Sequence, residues 1–379
     1  MKTVVHLTCD YPDPLAPSKT RSVKNLIDNT PGVRHVIYSL NRVSSGSATE
    51  ALDVGSDLIA VAYHAPPYGI FHRTYLLRLA EWILGDLSRR GIMPDLVHAH
   101  KFSVEGIVAL EVSRRLGSPF IVDIWGDTDL RIVNARSDLA ATWKAVLGRA
   151  AAIIPCAPWA EDKFHALFGF DRRKATILPP IVMHETFRPS APSRSPALVT
   201  LFNLNSHRRK NFSGLVSAVV AASRRRPGLT LSVYGACAPA TLFELRKILR
   251  DADADGVVTL EGPLDNSVFS ETLNTYSAFV MPTRRETFGM VFVEALFAGL
   301  PLLHSKGWGI DGFFPDETIG YACEPTDHAD IGRGLEYLLD NESLLKSRIA
   351  AFHADGGLDR FKRSSISATY REILERAAG

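Results

Sequence analysis

The chain predicts an α/β protein built as two doubly wound halves. Short apolar runs of strand length alternate with segments of helical periodicity from one end of the sequence to the other. At 379 residues the chain exceeds what one hydrophobic core usually serves. A proline- and serine-rich polar stretch at 187–196 separates the halves, and a new strand-like run follows it at once. The expected domains are therefore 1–188 and 189–359, with a terminal helix within 360–379.

Composition narrows the function classes. With 46% hydrophobic and 22% charged residues the chain reads as a soluble globular protein, and a net charge of +2 gives no global reason to expect nucleic acid as a partner. The apolar run at 3–7 is too short for a signal peptide and meets Asp10 soon after, and no later run approaches a membrane span, so a cytoplasmic location is expected. Cys9, Cys156, Cys237 and Cys323 are far apart and form no CxxC pair, which reads as reduced core thiols.

The first half opens with a buried strand at 2–7, a proline-punctuated loop at 11–20, and a helix from about Arg21. Lys19 and Thr20 stand near that helix start, where they either cap and solvate it or meet an acceptor or phosphate. Strands are expected at 33–40 and 57–62, with a loop at 41–47. The segment 71–90 has an amphipathic helical pattern with basic and aromatic residues. It either packs on the core or touches a membrane surface. Further strands are expected at 95–100, ending in His100, at 119–124, at 149–155 and at 175–181. His100, Trp125 and Asp127 follow at the carboxyl ends of two of them.

The second half repeats the logic. A strand at 197–202 leads into Arg208, Arg209 and Lys210, three adjacent cations just before a helix start, where arginine can grip a diphosphate bidentately and lysine as a point charge. Strands at 230–234 and 257–260 bracket a helix at 242–250. The central unit is MPTRRETFGMVFVEALFAGLP at 281–301: a strand end, a polar loop, and a helix stopped by Gly299 and Pro301. Glu286 lies in the loop and Glu294 in an apolar helix, with seven residues between them. The helix start offers free N–H groups and a positive dipole end, which favours a phosphate or pyrophosphate. The glycine-rich turn at 306–312 either touches a sugar or connects elements. Helices at 331–339 and 366–376 close the chain.

The string from Glu286 to Pro301 resembles the E-x7-E motif of retaining glycosyltransferases with the GT-B fold, of the large family-four type. The segments at 95–100 and 119–129 are similar to its D-x-V-H-x-H and H-G-x-D segments, except that Trp125 stands where many members have a histidine that touches the donor sugar. That role then passes to stacking on Trp125, to Asp127, or to nothing. Lys210 aligns with the lysine of the family's G-R-L-x-x-x-K-G loop. The arginine is missing there, so Arg208 or Arg209 must supply the second cation. The usual glycine-rich loop after the first strand is replaced by prolines, which implies an altered acceptor pocket.

The resemblance implies two Rossmann-like domains facing across a cleft, the first binding acceptor and the second donor, with the terminal helix crossing back to the first. By analogy Glu286, Lys210 and Arg209 are catalytic. Glu294, Thr287, Phe288, Gly289, Met290 and Arg208 bind the donor, and His100, Trp125, Asp127, Lys19 and Thr20 line the acceptor or sugar cleft. The implied reaction moves a sugar, with retention, from a nucleoside-diphosphate sugar to a hydroxyl of a glycan or lipid-linked saccharide. No Asp-x-Asp motif stands at a strand end, so neither metal nor other cofactor is expected. Rival readings are a nucleotide-sugar epimerase on the same fold and a non-catalytic nucleotide-sugar-binding protein. A glycosidase is disfavoured, because nothing places the two glutamates around one sugar bond.

Overall fold

The computed structural model describes residues 1–44, 49–55, 57–315 and 318–379. They form two compact units, one of Met1–Ile181 with Arg363–Gly379, the other of Val182–Lys362.

The first unit carries a seven-stranded sheet in the order β3-β4-β2-β1-β5-β6-β7. Its strands are β1 Thr3–Thr8, β2 Arg34–Val43, β3 Glu50–Gly55, β4 Leu58–His64, β5 Leu96–Ala99, β6 Phe120–Ile124 and β7 Ala152–Pro155. All neighbours pair parallel except β3, which runs antiparallel on β4. Strands buried on both faces need near-continuous apolar runs, and β5 and β6 are buried throughout. β3 was not foreseen: it is an exposed edge carrying the acidic Glu50 and Asp53, and only its pairing to β4 makes it a strand.

Two expectations change. The segment 175–181 is not a strand. It makes one isolated bridge, Ile153 to Ala175, and two hydrogen bonds, Thr176 N–H to Ile153 C=O at 2.9 Å and Leu178 N–H to Pro155 C=O at 2.9 Å. Pro179 and Pro180 bring no N–H to continue a ladder. Of the expected loop at 41–47, residues 41–43 extend β2, and 45–47 lie outside the described residues.

The terminal helix Arg363–Ala378 belongs to this unit because its apolar stripe, Ile366, Tyr370, Ile373 and Leu374, is buried against Val4, Leu96, Ile121 and Ile154 of the sheet. Each such side chain contributes about 1.5–3 kcal/mol on burial.

The second unit carries a six-stranded sheet, wholly parallel, in the order β10-β9-β8-β11-β12-β13. The strands are β8 Ala197–Leu201, β9 Thr230–Tyr234, β10 Val258–Gly262, β11 Ala278–Val280, β12 Leu302–Ser305 and β13 Gly320–Cys323. Helices join them, including Phe212–Ser223, Pro239–Asp251, Met290–Phe297 and His328–Asp340. Among the described residues no helix is long and apolar enough to cross a membrane.

Candidate active site

In the second unit the strand order reverses between β8 and β11. Loops leaving the carboxyl ends of such a pair diverge and open a crevice, the general binding place of open α/β sheets. The loop after β8 leads into the helix Phe212–Ser223, and the loop after β11 leads into the helix Met290–Phe297. Each helix brings the positive end of its dipole to this end of the sheet.

Glu286 ties the two loops together. Its Oε2 accepts a hydrogen bond from Lys210 Nζ, and Arg209 Nη1 stands 3.8 Å from Oε1. Oε1 also accepts from the Thr287 N–H at 3.1 Å. The Arg284 N–H donates to the Arg209 carbonyl at 3.0 Å, and the Arg209 guanidinium donates to the Arg285 carbonyl at 3.4 Å. The Lys210 and Glu286 side chains are only 10% and 8% exposed, so each would be costly to leave there alone.

Two glycines make room for this carboxylate. Gly289 has φ +76°, and a Cβ on it would lie 2.6 Å from the Phe292 ring. Gly309 has φ +64°, and a Cβ there would meet the Phe288 carbonyl at 3.1 Å and Glu286 Cγ at 3.3 Å. Its N–H donates to the Glu286 carbonyl at 3.2 Å. Gly309 was hidden in a turn that the sequence left undecided.

The remaining donor-side residues divide. Arg208 points away from the crevice, 81% exposed and paired with Glu244 at 3.1 Å, so Arg209 is the arginine beside Lys210. The Phe288 ring is buried against Phe313 and Phe361, which leaves only its backbone to the loop. Thr287 is half-buried beside Glu286, and Met290 opens the helix, exposed. Glu294 Oε1 accepts the Met183 N–H at 3.0 Å. Burial raises its pKa, against the backbone hydrogen bonds from Met183 and His184. Glu294 thus holds the segment that enters this unit.

In the first unit the order reverses between β1 and β5. His100, just beyond β5, is buried; its Nδ1 lies 2.7 Å from Asp123 Oδ2 and its Nε2 3.0 Å from His6 Nδ1. The indole N–H of Trp125 is buried and meets no acceptor among the described residues. Asp127 is buried at the first position of the helix Asp127–Ala135. The preceding Gly126 has φ +96°, and any Cβ on it would lie 2.3 Å from Trp159. Lys19 is engaged internally, with Asp13 and Ser39 at 2.9 Å and the Leu40 carbonyl at 3.2 Å, and Thr20 is exposed.

Sequence reasoning passed over three acids here. Asp129 accepts from the Ser103 hydroxyl at 2.5 Å and the Trp125 N–H at 3.0 Å, and burial pushes its pKa up to about 6. Glu105 accepts the Cys9 N–H at 2.7 Å, and burial pushes it up to about 7. Asp123, flanked by imidazoles, is an acid inside an apolar strand, a signal that was visible.

The family model for group 1 glycosyl transferases matches residues 184–351, and the glycosyl transferase 4-like domain matches 31–180. The chain belongs to the family-four type of GT-B glycosyltransferases. This glycosyltransferase is similar to the D-inositol 3-phosphate glycosyltransferase of Arthrobacter sp. (strain FB24), 28% identical over 69% of this chain and 66% of that protein. It spans about two thirds of that relative's length. Its fold matches sucrose-phosphate synthase (tll1590) from Thermosynechococcus elongatus, TM-score 0.71 at 15% identity, covering 99% of each chain. It also matches Anabaena Alr3699/HepE in complex with UDP, TM-score 0.67 at 14% identity, covering 99% of this chain and 100% of that one.

Proposed function

We propose that this glycosyltransferase moves a sugar from a nucleoside-diphosphate sugar to a hydroxyl of a glycan or lipid-linked saccharide, with retention of anomeric configuration and no requirement for a metal ion in the transfer step. The observation that carries this reading is the buried Lys210–Glu286 pair, with Arg209 beside it, at the strand reversal of the second unit. A structural neighbour solved with UDP supports the donor class.

In this reading the diphosphate settles on Lys210, Arg209 and the backbone N–H groups of 288–290, and Glu286 accepts hydrogen bonds from sugar hydroxyls. As the bond from the anomeric carbon to the phosphate oxygen breaks, negative charge grows on the leaving diphosphate. Two fixed cations in a partly dry site stabilise that charge more in the transition state than in the ground state. The acceptor oxygen bonds to the anomeric carbon on the same face, and its proton passes to the departing phosphate oxygen. Lys210 and Arg209 provide the charge that a divalent ion would otherwise supply.

The acceptor side is read in the first unit, from Trp125 and Asp127 at the end of β6. Peripheral membrane contact, at the inner face of a membrane in the cytoplasm, is proposed through the helix His72–Arg89 and the residues before it. Ile70 and Phe71 are exposed there at 50% and 67%, beside the exposed Arg73 and Arg78. Flotation with anionic vesicles, with and without Phe71→Ser, tests this; no flotation of the native chain refutes it.

The deciding experiment is release of nucleoside diphosphate from a panel of UDP-, GDP- and ADP-sugars, without added magnesium or manganese, comparing the native chain with Glu286→Ala and Lys210→Ala. One donor is expected to be turned over by the native chain and by neither variant. A donor bound but never cleaved, with acceptors supplied, points to a binding protein. An altered sugar released without acceptor points to an epimerase.

A further inference from the structure

Across the sheet of the first unit, His35 of β2, His6 of β1, His100 just beyond β5 and Asp123 of β6 form one unbroken row of close polar contacts that ends on the Thr30 carbonyl. The Thr30 carbonyl lies 2.9 Å from His35 Nε2, and His35 Nδ1 lies 2.8 Å from His6 Nε2. His6 Nδ1 lies 3.0 Å from His100 Nε2, and His100 Nδ1 lies 2.7 Å from Asp123 Oδ2. The ends of the row, a carbonyl and a carboxylate, can only accept. A neutral imidazole brings a single N–H. Three neutral rings therefore supply hydrogens for all but one of these contacts.

The contact without a hydrogen flanks His6, on one side or the other, since both oxygen ends demand an N–H. Among the described residues a third ring converges on the His6–His100 contact: one nitrogen each of His6, His98 and His100 lie within 4.8 Å of one another, all three residues buried. An added proton there would create a charge fully removed from water, next to two further imidazoles and with the single Asp123 carboxylate beside His100 as its counter-charge. A metal ion takes imidazole in its neutral form, the form burial favours.

We propose that His6, His98 and His100 form a three-histidine zinc site in the first unit, with the fourth position of the tetrahedron left to a non-protein ligand. Zinc–nitrogen bonds of 2.0–2.1 Å in a tetrahedron set ligand nitrogens about 3.3 Å apart. The His6–His100 separation of 3.0 Å needs only a small opening, and the His98 nitrogen, within 4.8 Å of the other two, must close in on the ion. The other nitrogens of two ligands are already oriented as a zinc site requires, His100 Nδ1 by the Asp123 carboxylate and His6 Nε2 by His35. Asp123, buried between His98 and His100, gains in the ion a counter-charge that neutral imidazoles cannot give. His98 exchanges one of its two present partners, Asp123 Oδ1 or the Tyr370 hydroxyl, each at 2.7 Å, for the ion. The site thereby links β1 and β5 and neighbours the terminal helix through Tyr370.

The test is elemental analysis of the full chain purified without chelator, then cobalt titration of chelator-stripped protein read by visible absorption. One zinc per chain and the intense bands of tetrahedral cobalt are expected, with a higher thermal midpoint when zinc is restored. His6→Asn and His100→Asn should abolish stoichiometric binding. If they fail to fold, His35→Gln retains every ligand and should weaken zinc roughly 10–100-fold. Absence of metal from the folded native chain together with no cobalt spectrum overturns the site. So does metal that survives His6→Asn in folded protein but is lost with the exposed His328→Ala. An imidazolium found in the cluster at neutral pH by nitrogen NMR also refutes it, because the row is then completed by a proton. None of these readouts depends on sugar transfer.

Discussion

Replacing Lys210 by alanine affects stability and turnover together, and a double variant separates the two. Breaking a buried ion pair by removing one partner costs about 3–5 kcal/mol. Here Arg209 at 3.8 Å and the Thr287 N–H at 3.1 Å still face Glu286, which lowers the expected cost of Lys210→Ala to roughly 2–3 kcal/mol. Removing both partners leaves no stranded charge, so Lys210→Ala/Glu286→Ala should regain at least about 1 kcal/mol over the single variant. Turnover should not follow. A lost charge-stabilising donor costs about 10²–10³ in kcat, and the double variant lacks the sugar-holding carboxylate as well. Denaturant titrations give the stabilities, and diphosphate release under single-turnover conditions gives the rates. The reasoning is refuted if activity recovers along with stability in the double variant, because Lys210 would then serve only to neutralise Glu286.

Three further outcomes follow from the geometry. Arg209→Ala should lower turnover at least about 10-fold, whereas Arg208→Ala, at an exposed pair with Glu244, should stay within about 0.5 kcal/mol in stability and near native in rate; equal losses would contradict the assignment. Gly289→Ala should destabilise by roughly 1–3 kcal/mol and impair donor turnover, since φ +76° and the Phe292 ring at 2.6 Å both oppose a Cβ, a point checked by thermal unfolding and kinetics. Glu105, pushed up to about 7 by burial, is protonated when folded and ionised when unfolded between about pH 4.5 and 7, so the folded state binds the extra proton and stability falls as pH rises through that window. Glu105→Gln should flatten that slope, worth up to about 3 kcal/mol between pH 5 and 8; an unchanged slope would place the titration elsewhere.

Much of the architecture was legible because parallel sheets buried on both faces demand apolar runs, and those runs stand out between helices. The E-x7-E string and the basic run at 208–210 marked the two loops that meet at the strand reversal. The edge strand β3 was illegible since its residues are exposed and its strand character comes only from β4. The segment 175–181 looked like a strand by its apolar pattern, but its tandem prolines could not extend a ladder.

The sequence by itself determined the family, the two-part α/β plan and the loops that carry the chemistry, because local pattern and a long, specific motif are properties of neighbouring residues. Tertiary structure alone decided what depends on residues distant in the chain. It chose Arg209 over Arg208 beside Glu286, turned Lys19 inward to Asp13, and gave Glu294 the backbone of Met183. It also brought His6 onto His98 and His100, some ninety residues away, through the parallel pairing of β1 with β5. Such partners are set by strand order and register, which no short stretch of sequence encodes.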